Sequence, residues 1–294
     1  MQFFLSLLIS GLVFGSIYAL VALGFVLIYK ATGIINFAQG EMVMFGAYIC
    51  IGLATNMGLP LLVAIPLAMV GSALLGLLLE RVIMRPMIGQ EVVPIIIITI
   101  GIGFMIRAVI MFIWGVDTLP FPQLLSEEPI TFMNVPIAPT YIWSIIVCAA
   151  ILIVFSLMFK FTPTGIAMRA TANDQQAAQS MGVSVKWVFA MAWAIGGVVA
   201  ALGGVLLGNI NGVNAYLSVI GLKVFPVVIV GGLDSIPGAI LGGLIVGVAE
   251  NLCGGYLDPI FGGGVKAVAP FVILLIILLV RPYGLFGSRQ IERV

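Results

Sequence analysis

The sequence predicts an all-α, polytopic integral membrane protein, a helical bundle of about 8–9 membrane segments that includes one pair of half-helices. The first reason is composition, because 62% of the 294 residues are hydrophobic and only 8% are charged, whereas soluble domains carry about 25% charged residues. The second is that apolar residues form uncharged runs as long as the roughly 20 residues a helix needs to cross a bilayer. We therefore expect lipid to surround most of the exterior.

Composition also excludes several classes of function. A net charge of +1 leaves no broad basic face, so we expect no nucleic-acid partner. The sequence has no His, the commonest metal ligand and general base, and its three Cys show no CxxC spacing. We expect no metal site and no catalytic residues.

Uncharged runs and helix-breaking residues define the segments in order. Residues 4–29 form the first, which we expect to be retained as a membrane span, because the run is too long for a signal peptide and lacks a positively charged start. The run 42–79 is long enough for two spans divided around residues 56–60. Four further spans are expected at 93–114, 141–159, 187–208 and 265–280.

Two shorter apolar pieces, 219–233 and 237–252, precede the last span. Each alone is marginal for a crossing, and a Gly-rich and Pro-containing segment at 231–238 separates them. Irregular backbone at membrane depth is tolerated only where it is buried in protein or lines a cavity. We expect two half-helices that meet at this break, with two short full crossings as the alternative.

The distribution of Lys and Arg predicts the orientation. Basic residues occupy the loop at 81–85, the long loop near 160–186 and the segment from 281 onward, whereas the loop 115–140 has acidic residues and no Lys or Arg. We therefore expect the three basic regions to be cytoplasmic, with the N-terminus outside and the C-terminus inside.

Small residues recur at four-residue spacing, which predicts close packing of helices in a membrane. The repeats are Gly11, Gly15 and Ala19; Gly196, Ala200, Gly204 and Gly208; Gly238 and Gly242; and Gly243 and Gly247.

Ionisable residues at membrane depth need a partner or a hydrated cavity. The candidates are Glu41, Arg107, Lys223, Asp234 and Glu250. Two interpretations of Glu41 and Asp234 remain open, namely capping of helix N-termini and contact with a hydrated path for a small polar solute. The predicted path residues are Asn36, Gln39, Glu41, Asp234 and Ser235.

The long basic loop predicts a short helix. Asn173 or Asp174 can cap it and Gly182 can stop it, which leaves Ala177, Ala178 and Met181 as a small apolar face exposed to the cytosol. A helix this short is unstable alone, so we expect it to dock on its own bundle or in a partner's groove.

This loop resembles the Ala-Ala…Gly coupling loop of bacterial ABC-importer permeases, whose short helix enters a cleft on the ATP-hydrolysing subunit. The residues that carry the resemblance are Gly165, Arg169, Ala170, Asn173, Ala177, Ala178 and Gly182, and Asp174 completes the predicted coupling set. Three other segments occur in family order at 33–41, 231–239 and 281–287. Together the four segments, spanning nearly the whole chain, resemble the H-type permeases of high-affinity leucine, isoleucine and valine importers.

The resemblance implies a single permease domain over residues 1–294, with the coupling loop at about 161–186. It implies a multi-pass subunit of the bacterial inner membrane that imports branched-chain amino acids with a second related permease, two ATP-binding subunits and a periplasmic binding protein. The family commonly carries His where this chain has Gln39. Related permeases carry urea, short amides, other amino acids or, more distantly, sugars and nucleosides.

The source of energy separates two classes of transporter. The chain has no GxxxxGK[ST] loop, so we expect it to bind no cofactor and to leave ATP and Mg²⁺ to partner subunits. The alternative class is an ion-coupled secondary transporter in which Glu41, Asp234 or Glu250 carries protons.

Overall fold

The computed structural model describes residues 1–87, 90–122, 128–132 and 135–287 and confirms a polytopic helical membrane protein. Its helices in these ranges are α1 (Gln2–Thr32), α2 (Gln39–Thr55), α3 (Leu61–Leu79), α4 (Val92–Trp114), α5 (Pro139–Phe161), α6 (Pro163–Asn173), α7 (Gln175–Ser180), α8 (Val185–Asn211), α9 (Ile220–Gly231), α10 (Ile236–Phe261) and α11 (Val265–Val280). A π-helical turn (Glu80–Met84) and a 3₁₀ turn (Arg85–Met87) extend α3, and a 3₁₀ turn (Ala215–Val219) precedes α9. The strands β1 (Ile130–Phe132) and β2 (Val135–Ile137) form an antiparallel hairpin.

Helix α1 forms the centre of the bundle and packs against α10 in the opposite direction. Gly11 lies beside Val248, and Gly15 lies beside Gly243. A Cβ on Gly247 would overlap the backbone of Gly15, so the two helices approach with backbone against backbone. This contact confirms that the small-residue repeats mark helix interfaces, where close approach strengthens dispersion contacts that lipid cannot supply.

The outer helices present apolar side chains to the surroundings. Leu62 of α3, Phe112 of α4 and Leu279 of α11 are 82%, 91% and 86% exposed. Surfaces of this composition are stable in hydrocarbon and unfavourable in water. Across the described part of the chain, six helices are long and apolar enough to cross a membrane: α1, α3 with its extension, α4, α5, α8 and α10.

The structure confirms the break at residues 231–238 but not a pair of half-helices on either side of it. Helix α10 has 26 residues and is long enough for a full span, whereas α9 has only 12. The sequence suggested an end near Leu252 because Glu250 and Asn251 are polar, but their side chains are hydrogen-bonded inside the protein and the helix continues past them. The number of segments, 8–9 by prediction, depends on α2, α9 and α11, which have 17, 12 and 16 residues.

The basic regions share one end of the bundle. Gly76 of α3 lies beside Trp193 of α8, and Gly196 of α8 lies beside Ile28 of α1, so the end of α3, the end of α1 and the start of α8 are neighbours. The Lys30 ammonium donates to the Asp234 carbonyl (2.9 Å), which places the start of α10 at this end too. The acidic residue Glu127 and the basic residues beyond residue 287 lie outside the described ranges.

The segment after α11 folds back on the end of α9. The Leu285 amide donates to the Val230 carbonyl (2.8 Å), and the Phe286 amide donates to the Gly231 carbonyl (3.1 Å). The last carbonyls of a helix have no partner within the helix itself. Residues 281–287 therefore complete the hydrogen bonding of α9.

Candidate functional site

The predicted coupling loop contains two short helices, α6 and α7. The Thr162 hydroxyl caps α6 by accepting from the Gly165 amide (3.2 Å), and Pro163 occupies the first helical position. The Arg169 guanidinium donates to the Phe159 carbonyl at the end of α5 and stacks over the Phe159 ring. These contacts fix α6 against the bundle and position the start of α7.

Helix α7 begins and ends as the sequence predicts. The Asp174 carboxylate accepts from the amides of Gln176 (2.8 Å) and Ala177 (2.9 Å), which identifies Asp174 rather than Asn173 as the capping residue. Gly182 has φ of 85°, a left-handed conformation that residues with a Cβ adopt only at a cost, and it follows the last helical turn.

The predicted exposed face of α7 is correct for two residues and wrong for the third. Ala177 is exposed and Met181 is 85% exposed, but Ala178 is only 4% exposed because it faces its own bundle. Met181 directly follows the last residue of α7 and lies four residues after Ala177, which places the two side chains on the same side of this segment. The apolar surface of α7 open to a partner thus consists of Ala177 and Met181, while Asn173 is exposed and Ala170 is half-buried.

The short helices that begin inside the bundle are α2 and α9, and they begin side by side. A Cβ on Gly221 would lie 2.8 Å from the Gly40 Cα, so the two backbones touch at their first turns. The N-terminus of a helix carries partial positive charge from unpaired amides and from the aligned peptide dipoles. Two such ends therefore meet at this point, which we call the α2/α9 junction.

An ion pair crosses the α2/α9 junction. The Glu41 carboxylate, in the first turn of α2, bonds to the Arg107 guanidinium of α4 (2.9 Å). The same guanidinium donates to the Ser218 hydroxyl just before α9. Glu41 thus pairs with the Arg107 charge in the first turn of α2, where the capping hypothesis expected it to satisfy free backbone amides and the helix dipole.

Asn36 and Gln39 are completely buried beside the junction. The Asn36 side-chain amide donates to the side-chain oxygen Oε1 of Gln39 (3.3 Å), and the Asn36 side-chain oxygen accepts from the Ala38 backbone amide (3.0 Å). The Gln39 side-chain amide Nε2 donates to the Gly196 backbone carbonyl of α8 (3.2 Å). These bonds hold the irregular segment between α1 and α2 inside the protein, as backbone at this depth requires.

Asp234 and Ser235 lie elsewhere, in the turn between α9 and α10. The Ser235 hydroxyl caps α10 by accepting from the Gly238 amide (3.1 Å), and the Asp234 carbonyl binds Lys30. Gln39 lies against Gly24 of α1, whereas Asp234 binds Lys30, about six residues further along the same helix. The turn therefore lies nearer the end of α1, by roughly 9 Å of helix rise. The five predicted path residues therefore form two groups.

A third polar cluster joins Tyr18 of α1, Lys223 of α9 and Glu250 of α10. The Tyr18 hydroxyl and the Lys223 ammonium donate to the two oxygens of the Glu250 carboxylate, at 2.8 and 2.6 Å. The sequence marked Lys223 and Glu250 as ionisable groups needing partners but gave no sign that they bind each other, and Tyr18 was missed. Their positions, up to 232 residues apart, come together only through the packing of α1 on α10.

The family model described as the permease component of the branched-chain amino acid transport system matches residues 7–281. The chain is 33% identical over 308 residues to the high-affinity branched-chain amino acid transport system permease protein LivH of Salmonella typhimurium, covering 99% of this chain and 98% of that protein. It is also 33% identical over 306 residues to the corresponding protein BraD of Pseudomonas aeruginosa, with the same coverage.

A more distant protein, the probable branched-chain amino acid transport permease LivH of Methanocaldococcus jannaschii, is 29% identical over 292 residues, or 95% of this chain and 91% of that one. A solved structure, PsaBC from Streptococcus pneumoniae in complex with Fab, shares the fold with a TM-score of 0.53 at 14% identity, covering 93% of this chain and 91% of that one. The chain belongs to the family of permease components of branched-chain amino acid transport systems.

Proposed function

We propose that this chain is the membrane-spanning permease subunit of a bacterial ABC importer that carries leucine, isoleucine and valine across the inner membrane. The observation that carries this proposal is the 33% identity, over nearly the whole of both chains, to permease proteins named for branched-chain amino acid transport. A match of that extent covers both the bundle and the α6–α7 segment.

The proposed importer contains a second related permease, two ATP-binding subunits and a periplasmic binding protein. ATP and Mg²⁺ are bound by the ATP-binding subunits, and this chain forms one permease domain without enzymatic activity. Its basic end, which includes α6, α7 and Arg281, faces the cytoplasm, in keeping with the excess of Lys and Arg there. The N-terminus lies outside and the C-terminus inside.

The proposed coupling uses α7 as the docking element. The surface formed by Ala177 and Met181 is small and exposed, and the cap fixes the position at which the helix begins. These features suit docking in a groove on a partner. Arg169 and Gly165 hold α6 on the end of α5, so a push on α7 reaches the bundle through rigid contacts. The coupling set is Gly165, Arg169, Ala170, Asn173, Asp174, Ala177, Ala178 and Gly182.

The proposed solute path passes the α2/α9 junction. Two helix N-termini and the Arg107–Glu41 pair give this point the mixed charge that an amino acid zwitterion needs, and helices that begin within a bundle are common at transport sites. Asn36, Gln39 and Glu41 border the path there, while Asp234 and Ser235 border it nearer the cytoplasm.

The test is uptake by proteoliposomes that contain the full set of subunits and enclosed ATP, with binding protein and labelled amino acid outside. We expect uptake of leucine, isoleucine and valine that requires ATP and persists with a protonophore. Uptake by the chain alone that collapses with a protonophore and ignores ATP would identify an ion-coupled transporter instead. Uptake restricted to urea or short amides would agree with the proposed importer architecture but would contradict branched-chain amino acids as its substrates.

A further inference from the structure

A cavity of about 390 Å³ lies between α1, α8, α9, α10 and α11, at the end of the bundle away from α7. Its size falls within the range of small-molecule binding sites, about 300–1,000 Å³. The Lys223–Glu250 pair and Lys266 line it. Its wall includes Ile220, the first residue of α9, so it borders the α2/α9 junction, but the described residues that line it include none of the five predicted path residues.

The charges in this cavity do not balance. Its lining includes the carboxylate of Glu250 and the ammonium groups of Lys223 and Lys266. Glu250 is completely buried and binds Lys223. The Lys266 ammonium donates to the Asn251 side chain (3.2 Å) and lies 5.4 Å from the centre of the Phe14 ring. Among the residues that the structure describes, no carboxylate lies within 4.0 Å of the Lys266 ammonium.

Donor capacity remains after these bonds are made. An ammonium group has three donors. Lys223 uses one of them on Glu250, and Lys266 uses one on Asn251. The cavity thus presents spare donors with an excess positive charge, the arrangement that binds a carboxylate.

The rest of the wall is apolar or neutral. Phe14, Leu207, Leu217, Val219 and Ile220 contribute hydrocarbon surface, and Asn211 and Asn214 contribute amides. Apolar walls with a few convergent polar groups are typical of sites for small ligands with one polar end. An aliphatic side chain fits the wall, and a carboxylate fits the lysines.

We propose that this cavity binds an amino acid zwitterion with an aliphatic side chain, its carboxylate held by Lys223 and Lys266. The amide oxygen of Asn211 and the remaining lone pairs of the Glu250 carboxylate are left to accept hydrogen bonds from the ligand's ammonium group. The inference rests on the proposed function and adds the place where the solute first binds the permease, on the side opposite the ATP-binding subunits.

A purely structural role explains less of the geometry. A buried ion pair adds little stability over well-packed apolar residues, so holding α9 against α10 does not require charge. Such a role also gives no reason for a second ammonium group, Lys266, on the same cavity. Lys266 is only half-buried, and its substitution removes the binding charge while leaving the Lys223–Glu250 pair intact.

The experiment uses the assembled transporter in detergent without its binding protein and measures the rise in thermal unfolding temperature with added ligand. The probes are leucine, 4-methylpentanoate, which keeps the carboxylate without the ammonium group, and leucinamide, which lacks the carboxylate. We expect protection by leucine, weaker protection by 4-methylpentanoate and none by leucinamide.

Three variants assign the effect to the cavity. Lys266→Met should raise the leucine concentration for half-maximal protection about tenfold or more, because a charged hydrogen bond is lost. Lys266→Arg keeps the charge and should stay within about threefold of the parent protein. The matched control is Lys160→Met, which removes an exposed lysine at the end of α5, outside the cavity, and should change nothing.

Absence of protection by leucine, equal protection by leucinamide, or the same curve for Lys266→Met and Lys160→Met would each overturn the inference. Uptake in proteoliposomes is measured on the same preparations. If the parent protein imports leucine but any of these results is obtained, only the cavity is refuted. If it imports no branched-chain amino acid, the proposed function fails.

Discussion

Helix α7 and the Tyr18–Lys223–Glu250 cluster are built in opposite ways. The cap of α7 joins Asp174 to amides two and three residues away and lies at the surface. The cluster joins three helices, and its central carboxylate is completely buried. The cap of α7 is determined by residues that are neighbours in the sequence. The cluster, in contrast, forms only when α1, α9 and α10 pack together.

This difference predicts different consequences of substitution. A surface helix of six residues contributes little to the stability of the bundle, so its changes should appear in coupling. A buried charge with its partner removed is costly, so changes in the cluster should appear in stability.

The largest expected effect is on coupling. Ala177→Arg places a bulky charge on the exposed surface of α7, and we expect ATP-driven uptake to fall to the level seen without ATP. The measurement is proteoliposome uptake together with thermal unfolding, which should be unchanged. Ala138→Arg, on an exposed alanine at the opposite end of the bundle, is the matched control and should transport normally. Normal transport by Ala177→Arg would refute docking through α7.

The next effect is on stability. Glu250→Leu leaves the Lys223 ammonium without its carboxylate and should reduce the free energy of unfolding in detergent by about 3–5 kcal/mol. Adding Lys223→Met removes the stranded charge and should recover most of that loss. A loss below about 1 kcal/mol for Glu250→Leu alone, the range of surface ion pairs, would mean that the cluster is solvated.

Tyr18→Phe is a milder change in the same cluster. It removes one hydrogen bond to Glu250 and should lower the free energy of unfolding by about 1–2 kcal/mol, as for hydrogen bonds between membrane helices. Tyr29→Phe, on the same helix and outside the cluster, serves as the control. Equal losses for the two variants would contradict the role of the Tyr18 hydroxyl.

The smallest effect is expected at the cap of α7. Asp174→Ala should weaken the segment by about 1 kcal/mol, and Asp174→Asn should be nearly neutral because Asn also caps well. Hydrogen exchange of the α7 amides reports this local stability.

The double variant that combines Asp174→Ala with Tyr18→Phe tests whether the two regions are independent. Its loss of global stability should equal the sum of the two single losses within about 0.5 kcal/mol, since the two sites share no contacts. Strong non-additivity would show that the two regions are coupled in the resting state.

Most of the fold was predictable, because helix length and charge in a membrane protein follow directly from the sequence. The spans near 93–114, 141–159 and 187–208 correspond to α4, α5 and α8 within a few residues. The division of the run 42–79 is also correct. The error lies at the end of the second piece, which was placed at Leu252 because a polar residue in an apolar run indicates a helix end unless its partner is known, whereas α10 continues to Phe261.

The candidate site was predictable only where its contacts join residues that are close in the sequence. Asp174 and Gly182 were identified from their neighbours, but the burial of Ala178 depends on how α7 lies against its own bundle. Glu41 and Arg107 were each recognised as ionisable groups, yet their pairing across 66 positions was not. Periodicity and capping rules contain no information about partners on separate helices.

The fold-back of residues 281–287 onto α9 sets an order for biosynthesis. The carbonyls of Val230 and Gly231 receive their hydrogen bonds from Leu285 and Phe286, which leave the ribosome more than fifty residues later. Before those residues are made, the two carbonyls at the end of α9 lack these partners. We therefore expect α9 to gain its final hydrogen bonds only after α10 and α11 have been synthesised.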